Sequence, residues 1–463
     1  MPRWINDWDP EDVAFWERTG KRIARRNLIG SIVAENIGFS VWLVWSVIAE
    51  RLPRAGFSYT TDQLFFLVAL PGLTGALMRF PYTFAVPRFG GRNWTVISAL
   101  LLLIPTVTMA LLVSRPSTPF WAMALAASTA GFGGGNFASS MANISFFYPD
   151  REKGLALGLN AAGGNMGVSM VQFAVPMVLG PAGVACVAAS CRPLAWAGLM
   201  WIPLIVVAAL GAWRYMDNLG SARSTFRDQI AVAKRPYTWA VAWLYVGSFG
   251  SFVGYAAAFP LLLRAQFPEV AGPPAFLGGL IGAAARPFGG LLADSFRGAR
   301  VTLWAFIAMA AAALGVLASL GTHSYEGFFT AFLVLFLATG IGNGSTFRMI
   351  PALVRADALE GVQESPGRVP DAVMAKALAG AGRDSAAIIG LSSAIGALGG
   401  YIIPQGLSAS IRATGKPTVA IAAFIVFYGS CIVLTWRTSI RSARLVSSLP
   451  RRRESSRFAR YSG

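Results

Sequence analysis

Residues 79–95 (RFPYTFAVPRFGGRNWT) and residues 286–302 (RPFGGLLADSFRGARVT) follow one pattern at two places in the chain. Each copy opens on an arginine followed closely by a proline, and later Phe, Gly and Thr positions recur at one constant offset. A pattern repeated in the two halves of a chain indicates an internal duplication. The aligned pairs are Arg79 with Arg286, Phe89 with Phe296, Gly91 with Gly298, and Thr95 with Thr302.

The duplication continues beyond these two segments. At nearly the same offset, the glycine-rich residues 131–135 (GFGGG) lie over residues 340–344 (GIGNG). Residues 158–159 match residues 390–391 after a longer polar connection in the second half, which we expect to be a loop. The chain is therefore expected to fold as two related halves.

The composition indicates that both halves lie in a membrane. Of the 463 residues, 55% are hydrophobic and 13% are charged, about half of the charged share that is usual in soluble proteins. Apolar runs of about 20 residues, the length of a membrane-spanning helix, recur along the chain. We predict an all-α membrane protein with twelve transmembrane helices in two pseudo-symmetric six-helix halves, at residues 28–50, 64–86, 94–113, 120–147, 155–179, 194–213, 239–263, 277–292, 301–320, 328–354, 386–407 and 419–436.

The polar segments and their charges predict the domain organisation and the orientation. Most of the 39 Lys and Arg residues lie in the N-terminal segment, the middle linker, the C-terminal tail and the connections on that same side. The positive-inside rule then places both termini in the cytoplasm. The predicted parts are an amphipathic N-terminal segment (1–27), a first bundle (28–215), a cytoplasmic linker (216–237), a second bundle (238–437) and a basic tail (438–463).

Several function classes do not fit this composition. The single histidine, His323, and the three cysteines offer no metal-ligand spacing, and we predict no metal, no cofactor and no enzyme activity. The net charge of +18 does not lie on one amphipathic face, so nucleic-acid binding is not predicted. The lipid bilayer is the expected surrounding.

Arg79 and Arg286 are the most informative single residues. Each falls inside a predicted span, where an arginine costs about 2.5–3.5 kcal/mol on insertion scales. Neither span contains a carboxylate at comparable depth. The favoured interpretation is a site for a small oxyanion between the two guanidinium forks. Structural pairing with carboxylates elsewhere remains the alternative.

Polar faces on two helices accompany the arginines, and the one on the fifth predicted span carries Asn165, Ser169 and Gln172. Asn136, Ser139, Ser140 and Asn143 are spaced to lie on one face of a helix in the fourth predicted span. This region resembles the signature of the bacterial nitrate/nitrite porters (NarK type) of the major facilitator superfamily, and the likeness covers nearly the whole chain. The segments that carry the resemblance are 133–147 (GGGNFASSMANISFF), 158–160 (GLN), 164–167 (GNMG), 342–347 (GNGSTF) and 393–400 (SAIGALGG).

The resemblance implies a major facilitator fold and transport of nitrate and nitrite. It implies that Arg79 and Arg286 bind the anion. It also implies that aromatic rings sandwich the flat anion and that two signature asparagines contribute to the site. The rings are Phe137, Tyr245 and Phe249, and the asparagines are Asn160 and Asn165.

Three charged residues raise the question of coupling and gating. Glu35 is the one clearly intramembrane carboxylate, and Arg348 occupies the repeat position of Ser139. The two side chains either neutralise one another across the cavity or Glu35 carries a proton during transport, and the two interpretations are compatible. Asp294 resembles the gating motif of the superfamily, whose first-half copy has Pro87 instead.

These features lead to one preferred function and several alternatives. We expect nitrate uptake by alternating access, with a slight preference for proton symport over obligate nitrate/nitrite exchange. An anion channel or a facilitator for another small anion is a weaker alternative. The expected location is the bacterial cytoplasmic (inner) membrane, and the expected functional unit is a monomer.

Overall fold

The computed structural model describes residues 4–180, 194–220, 232–270, 272–363 and 371–448. Within these ranges eleven helices are long and apolar enough to cross a membrane, and α4 adds a twelfth that is divided at Ala130. The first half contains α1 (Val13–Ile48), α2 (Thr61–Phe89), α3 (Gly91–Val113), α4 (Phe120–Thr129 and Gly131–Phe147), α5 (Asp150–Leu179) and α6 (Trp196–Tyr215). The second contains α7 (Tyr237–Gln266), α8 (Phe276–Phe296), α9 (Gly298–Gly321), α10 (Tyr325–Gln363), α11 (Asp371–Ala397 and Gly399–Thr414) and α12 (Thr418–Ser448).

Helix α2, which carries Arg79, begins and ends at local sequence signals. The Thr60 hydroxyl accepts a hydrogen bond from the Gln63 amide, and the Gln63 side chain accepts one from the Thr60 amide, at 3.3 and 2.9 Å. This reciprocal capping satisfies two amides that the first turn leaves unpaired. Gly90, with φ of 85°, ends the helix in a conformation that favours glycine.

The predicted spans coincide with helices, but several helices extend well beyond the predicted spans. The boundary at residue 28 lies inside α1, which starts at Val13 after Asp12 caps the Ala14 amide at 2.9 Å. The loop expected between the tenth and eleventh spans is largely helical, because α10 runs to Gln363 and α11 begins at Asp371. An apolar run marks only the part of a helix in lipid, whereas residues with good helix propensity extend the helix into water.

The N-terminal segment packs on the first half, and from Val13 onward it is part of α1. Strand β1 (Trp4–Ile5) pairs in parallel with strand β2 (Asn218–Leu219), just after α6. The Trp16 indole is fully buried and donates a hydrogen bond to Glu152 at 2.8 Å. We call the end of the bundle that carries these contacts the terminus side, and the opposite end the distal side.

Contacts on the distal side join the two halves. Asp62 of α2 accepts a hydrogen bond from Ser408 of α11 at 2.6 Å. Gln172 of α5 donates to the backbone carbonyl of Ala256 in α7 at 2.7 Å. These bonds, together with close backbone packing of α2 against α11, close the distal end of the interface between the halves.

Candidate anion-binding site

Arg79 lies at the interface between the halves, where it is fully buried. Its Nε donates to the carbonyl of Gly134 at 3.1 Å within the first half, and one Nη donates to the carbonyl of Ser393 in α11 at 2.7 Å. The guanidinium carbon is 4.7 Å from the ring centre of Phe137 and 4.9 Å from that of Phe249. The side chain therefore faces the second half and does not face lipid.

Arg286 approaches the same interface from α8 and is also buried. One of its Nη atoms donates to the Tyr245 hydroxyl at 3.3 Å. Its guanidinium carbon lies 5.5 Å from the ring centre of Phe137 and 5.5 Å from that of Phe347. Each arginine thus packs against an aromatic ring of the opposite half, and Phe137 contacts both.

One buried guanidinium nitrogen of each arginine has no hydrogen-bond partner among the described residues. Nη2 of Arg79 and Nη1 of Arg286 are buried, and neither finds an acceptor in the part of the chain that the structure describes. A buried charged donor without an acceptor costs more than the 1–3 kcal/mol typical of a neutral group. A small oxyanion between the halves would supply acceptors to both nitrogens.

The three predicted aromatic residues form a stack. The ring centres of Phe137 and Phe249 are 5.8 Å apart, and those of Tyr245 and Phe249 are 5.3 Å apart, with nearly parallel planes. An anion held between two ring faces needs contacts of about 3.5 Å on each side, so the rings would have to lie about 7 Å apart. Binding between Phe137 and Phe249 therefore requires these rings to separate.

The two signature asparagines have different surroundings. Asn160 is fully buried and donates to Glu35 at 2.8 Å and to Ser140 at 2.6 Å. Asn165 is also buried, and among the described residues its side-chain oxygen has no hydrogen-bond donor. Asn160 thus belongs to the surroundings of the carboxylate, and its expected contact with the anion stays a prediction, as does that of Asn165.

Glu35 sits in a compact polar cluster within the first half. Its Oε2 accepts hydrogen bonds from Ser140 at 2.5 Å and from Asn160 at 2.8 Å, while its buried Oε1 has no donor among the described residues. The carboxyl lies within electrostatic reach of both Arg79 and Arg286. The polar face of α4 predicted from sequence thus contributes Ser140 directly to this carboxyl group.

Arg348 does not pair with Glu35 in this structure. It forms an ion pair with Asp294 at 2.5 Å, and both side chains are partly exposed. The expected ion pair between Glu35 and Arg348 is therefore not formed. Arg348 of α10 pairs instead with Asp294 of α8. The physical reason is depth, since Asp294 and Arg348 lie near the terminus side and Glu35 lies farther inside. The Arg348 guanidinium also lies against Gly154 of the first half.

Three further groups at the site carry no assignment from sequence. Trp42 contacts Arg79, Phe347 contacts Arg286, and the Ser393 carbonyl accepts from Arg79. Phe347 lies in the second-half glycine segment, next to the repeat counterpart of Phe137. The internal duplication could therefore have identified Phe347 as a site residue. A backbone acceptor such as that of Ser393 leaves no signal in residue type.

Comparisons with known proteins agree with this architecture. Residues 32–363 match the family model of the Major Facilitator Superfamily. The chain is 44% identical to "Nitrate/nitrite transporter NarU" of Salmonella typhimurium, over 93% of this chain and 95% of that protein. It is 34% identical to "Probable nitrate/nitrite antiporter NarK2" of Thermus thermophilus, over 94% and 96% of the two chains.

Solved structures with similar folds are also transporters. The xylose transporter XylE from E. coli, in a partially occluded inward open conformation, superposes with a TM-score of 0.63 at 11% identity, covering 89% of this chain and 99% of that one. The human organic anion transporter MFSD10 gives a TM-score of 0.59 at 15% identity, covering 90% and 99%. At such identities the likeness concerns the fold alone. The fold and the sequence matches together show that the chain belongs to the nitrate/nitrite transporters (NarK type) of the Major Facilitator Superfamily.

Proposed function

We propose that the protein moves nitrate and nitrite across the bacterial cytoplasmic membrane by alternating access, with the anion held between Arg79 and Arg286. The observation that carries the proposal is the pair of buried guanidinium nitrogens, one from each half, that have no acceptor among the described residues. A planar, weakly hydrated monoanion matches two fork-shaped donors and flanking rings. The names of the relatives at 44% and 34% identity support the same substrates.

The membrane potential limits how the anion can enter. Moving one negative charge inward against an inside-negative potential costs about 2.3 kcal/mol per 100 mV. Two protons that accompany each nitrate reverse the sign of the transported charge, whereas exchange for an outgoing nitrite moves no net charge. The two schemes differ in what the empty carrier must do, because only symport requires it to return without an anion.

Glu35 favours proton symport within this proposal. Its carboxyl group lies within electrostatic reach of both arginines, so an ionised Glu35 offsets part of their charge when no anion is bound. Oε1, which has no donor among the described residues, is the position at which a proton would bind. We propose that Glu35 alternates between an ionised form in the empty carrier and a protonated form in the loaded carrier. Arg348 is proposed to act with Asp294 near the terminus side.

Obligate nitrate/nitrite exchange is the second candidate. A relative of 34% identity carries the name of an antiporter, and two buried arginines without an anion would resist closure of an empty carrier. In that case Glu35 would have a structural role and would hold Ser140 and Asn160 in place.

Proteoliposomes distinguish the two schemes. We expect wild-type vesicles to accumulate labelled nitrate in response to an inward proton gradient without internal nitrite. Glu35→Gln should lose that response while keeping nitrate/nitrite counterflow. Strict dependence on internal nitrite, with no response to the proton gradient, would contradict symport.

The same vesicles test the site itself. Arg286→Ala should reduce uptake at low nitrate at least about tenfold, because it removes a charged donor. Formate and phosphate serve as competing anions, and stronger competition by either of them than by nitrite would overturn the substrate assignment. A saturable rate far below channel flux is expected, since the proposal requires a conformational change in each cycle.

The remaining parts of the proposal concern topology and gating. We propose that both termini and the terminus side face the cytoplasm, where most basic residues would then lie. Asp294, paired with Arg348 beside Gly154 of the first half, is proposed to act in the cytoplasmic gate. The monomer is proposed as the functional unit, because each chain contains both arginines.

A further inference from the structure

Trp42 of α1 packs against Arg79 and contacts helices α2 and α4 of the first half. It is 1% exposed and is the last residue before α1 is interrupted at Leu43. Its indole nitrogen donates a hydrogen bond of 2.6 Å to the carbonyl of Pro71 in α2. The orientation of the ring is therefore fixed by a polar contact as well as by packing.

Two glycines form a slot for the indole ring. A Cβ atom placed on Gly75 of α2 would lie 2.6 Å from the indole nitrogen, and one on Gly134 of α4 would lie 2.6 Å from a ring carbon. Neither approach is possible for a side-chain carbon. The indole thus lies in close contact with the backbones of two helices and has little freedom to move.

The slot and the substrate arginine share one residue. The carbonyl of Gly134 accepts the hydrogen bond from Nε of Arg79 at 3.1 Å, and the guanidinium carbon lies 5.5 Å from the centre of the Trp42 ring. Tryptophan provides the most favourable ring for a cation, and the attraction is larger where water is excluded. Trp42 therefore contributes to stabilising a buried charge.

The other contacts of Arg79 cannot all persist through a transport cycle. Ser393 and Phe249 belong to the second half, so rocking of one half against the other separates them from Arg79. Phe137 must part from Phe249 if the anion is to bind between them. Trp42, Gly134 and Phe137 belong to the same half as Arg79, so a rigid-body movement of the halves leaves their contacts with it in place.

We propose that Trp42 is a positioning residue that holds the Arg79 guanidinium at the substrate site when the halves separate, an inference that rests on the proposed anion transport. Trp42 acts through Arg79, and nothing in the proposal requires it to touch the anion. It therefore affects how tightly the open carrier binds the anion more than how fast the loaded carrier turns over.

The test compares Trp42→Leu and Trp42→Phe with Trp45→Leu. Trp45 is an equally buried tryptophan on the same helix, and among the described residues it has no ring contact with an arginine. We expect the KM for nitrate to rise about threefold to tenfold in Trp42→Leu, with less change in Vmax. Trp42→Phe should recover part of the loss, and Trp45→Leu should leave KM unchanged.

A coupling experiment separates positioning from general loosening of the bundle. In an Arg79→Lys background, Trp42→Leu should raise KM much less than it does in wild type, because the two residues act as a unit. Additive effects, an unchanged KM in Trp42→Leu, or an equal rise in Trp45→Leu would each overturn the proposal.

A second readout does not depend on transport. Purified protein treated with the arginine reagent phenylglyoxal should be modified at Arg79 at least about threefold faster in Trp42→Leu than in wild type, and no faster in Trp45→Leu, as followed by mass spectrometry. Equal modification rates would overturn the role of Trp42. Absence of saturable nitrate uptake by wild type would contradict the proposed function, and the modification rates would still decide the role of Trp42.

Discussion

At the scale of single residues, the candidate site consists of two buried arginines. In the part of the chain that the structure describes, neither arginine is hydrogen-bonded to a carboxylate. Arg79 is bonded to carbonyls and Arg286 to a hydroxyl, and each has one buried nitrogen without an acceptor among the described residues. Aromatic rings surround both groups and stabilise their charge without occupying all their donors. Such an arrangement is costly unless a ligand completes it.

Replacing arginine by lysine tests whether the fork matters in addition to the charge. Arg79→Lys keeps the charge but presents a single ammonium that cannot reach the Gly134 carbonyl and an anion together. We expect the KM for nitrate to rise at least about tenfold, consistent with loss of a charged hydrogen bond. Kinetics of labelled nitrate uptake would measure the change.

The control for this prediction is Arg92→Lys. Arg92 is likewise buried in the first half but bonds to the Trp213 carbonyl, away from the site. Its replacement should leave KM unchanged. A similar KM for Arg79→Lys and wild type would contradict a role for the guanidinium geometry.

At the scale of elements, the N-terminal segment braces the first half. The carboxylate of Asp217, after α6, accepts hydrogen bonds from Arg26 at 2.5 Å and from Asn27 at 3.0 Å of α1. The amide of Asp217 also donates to Asn27 at 2.8 Å. Together with the pairing of β1 and β2, these bonds fix α1 near Arg26 and Asn27 to the segment that follows α6.

Asp217→Ala should therefore lower the stability of the folded transporter. Asp217 is buried, whereas Arg26 is 43% exposed, so solvent screens part of the ion pair and we expect a loss of about 1.5 kcal/mol. The melting temperature in detergent should fall by about 1–2 °C. Glu17→Ala, which removes the exposed pair with Lys21 on the same segment, should cause no measurable change.

At the scale of the whole molecule, the distal contacts determine which side of the site is closed. Asp62 joins α2 to α11 through Ser408 at 2.6 Å and Arg412 at 3.4 Å, so it links the two halves. Alternating access requires these bonds to break each time the distal side opens. Their strength therefore biases the equilibrium between the two orientations of the carrier.

Asp62→Asn should shift this equilibrium toward distal opening. The Arg412 side chain is 70% exposed and the pair is screened, so we expect a shift of about 0.2–1 kcal/mol, up to about fivefold in population. A Gln405→Cys reporter, in the cavity that Asp62 also lines, should react faster with a maleimide in the Asp62→Asn variant than without it. Glu269→Gln, which changes a distal carboxylate 3.6 Å from His323 of the second half, should leave the rate unchanged. An equal increase in both variants would contradict the role of Asp62.

The sequence by itself determined the number and order of the helices, the duplication and the presence of Arg79 and Arg286 inside spans. Apolar length, charge and residue type are local properties, and insertion in a bilayer depends directly on them. Helix ends in water were less predictable, as α10 and α11 show, because hydropathy does not report them.

Only the tertiary structure decided which groups meet. Arg348 pairs with Asp294 and not with Glu35, the Trp42 indole fits between Gly75 and Gly134, and a carbonyl at Ser393 reaches Arg79. These contacts depend on how helices distant in sequence rotate and cross, and a few ångströms of depth change each partner. Packing fixes those rotations, whereas the residue pattern of any one helix leaves them open.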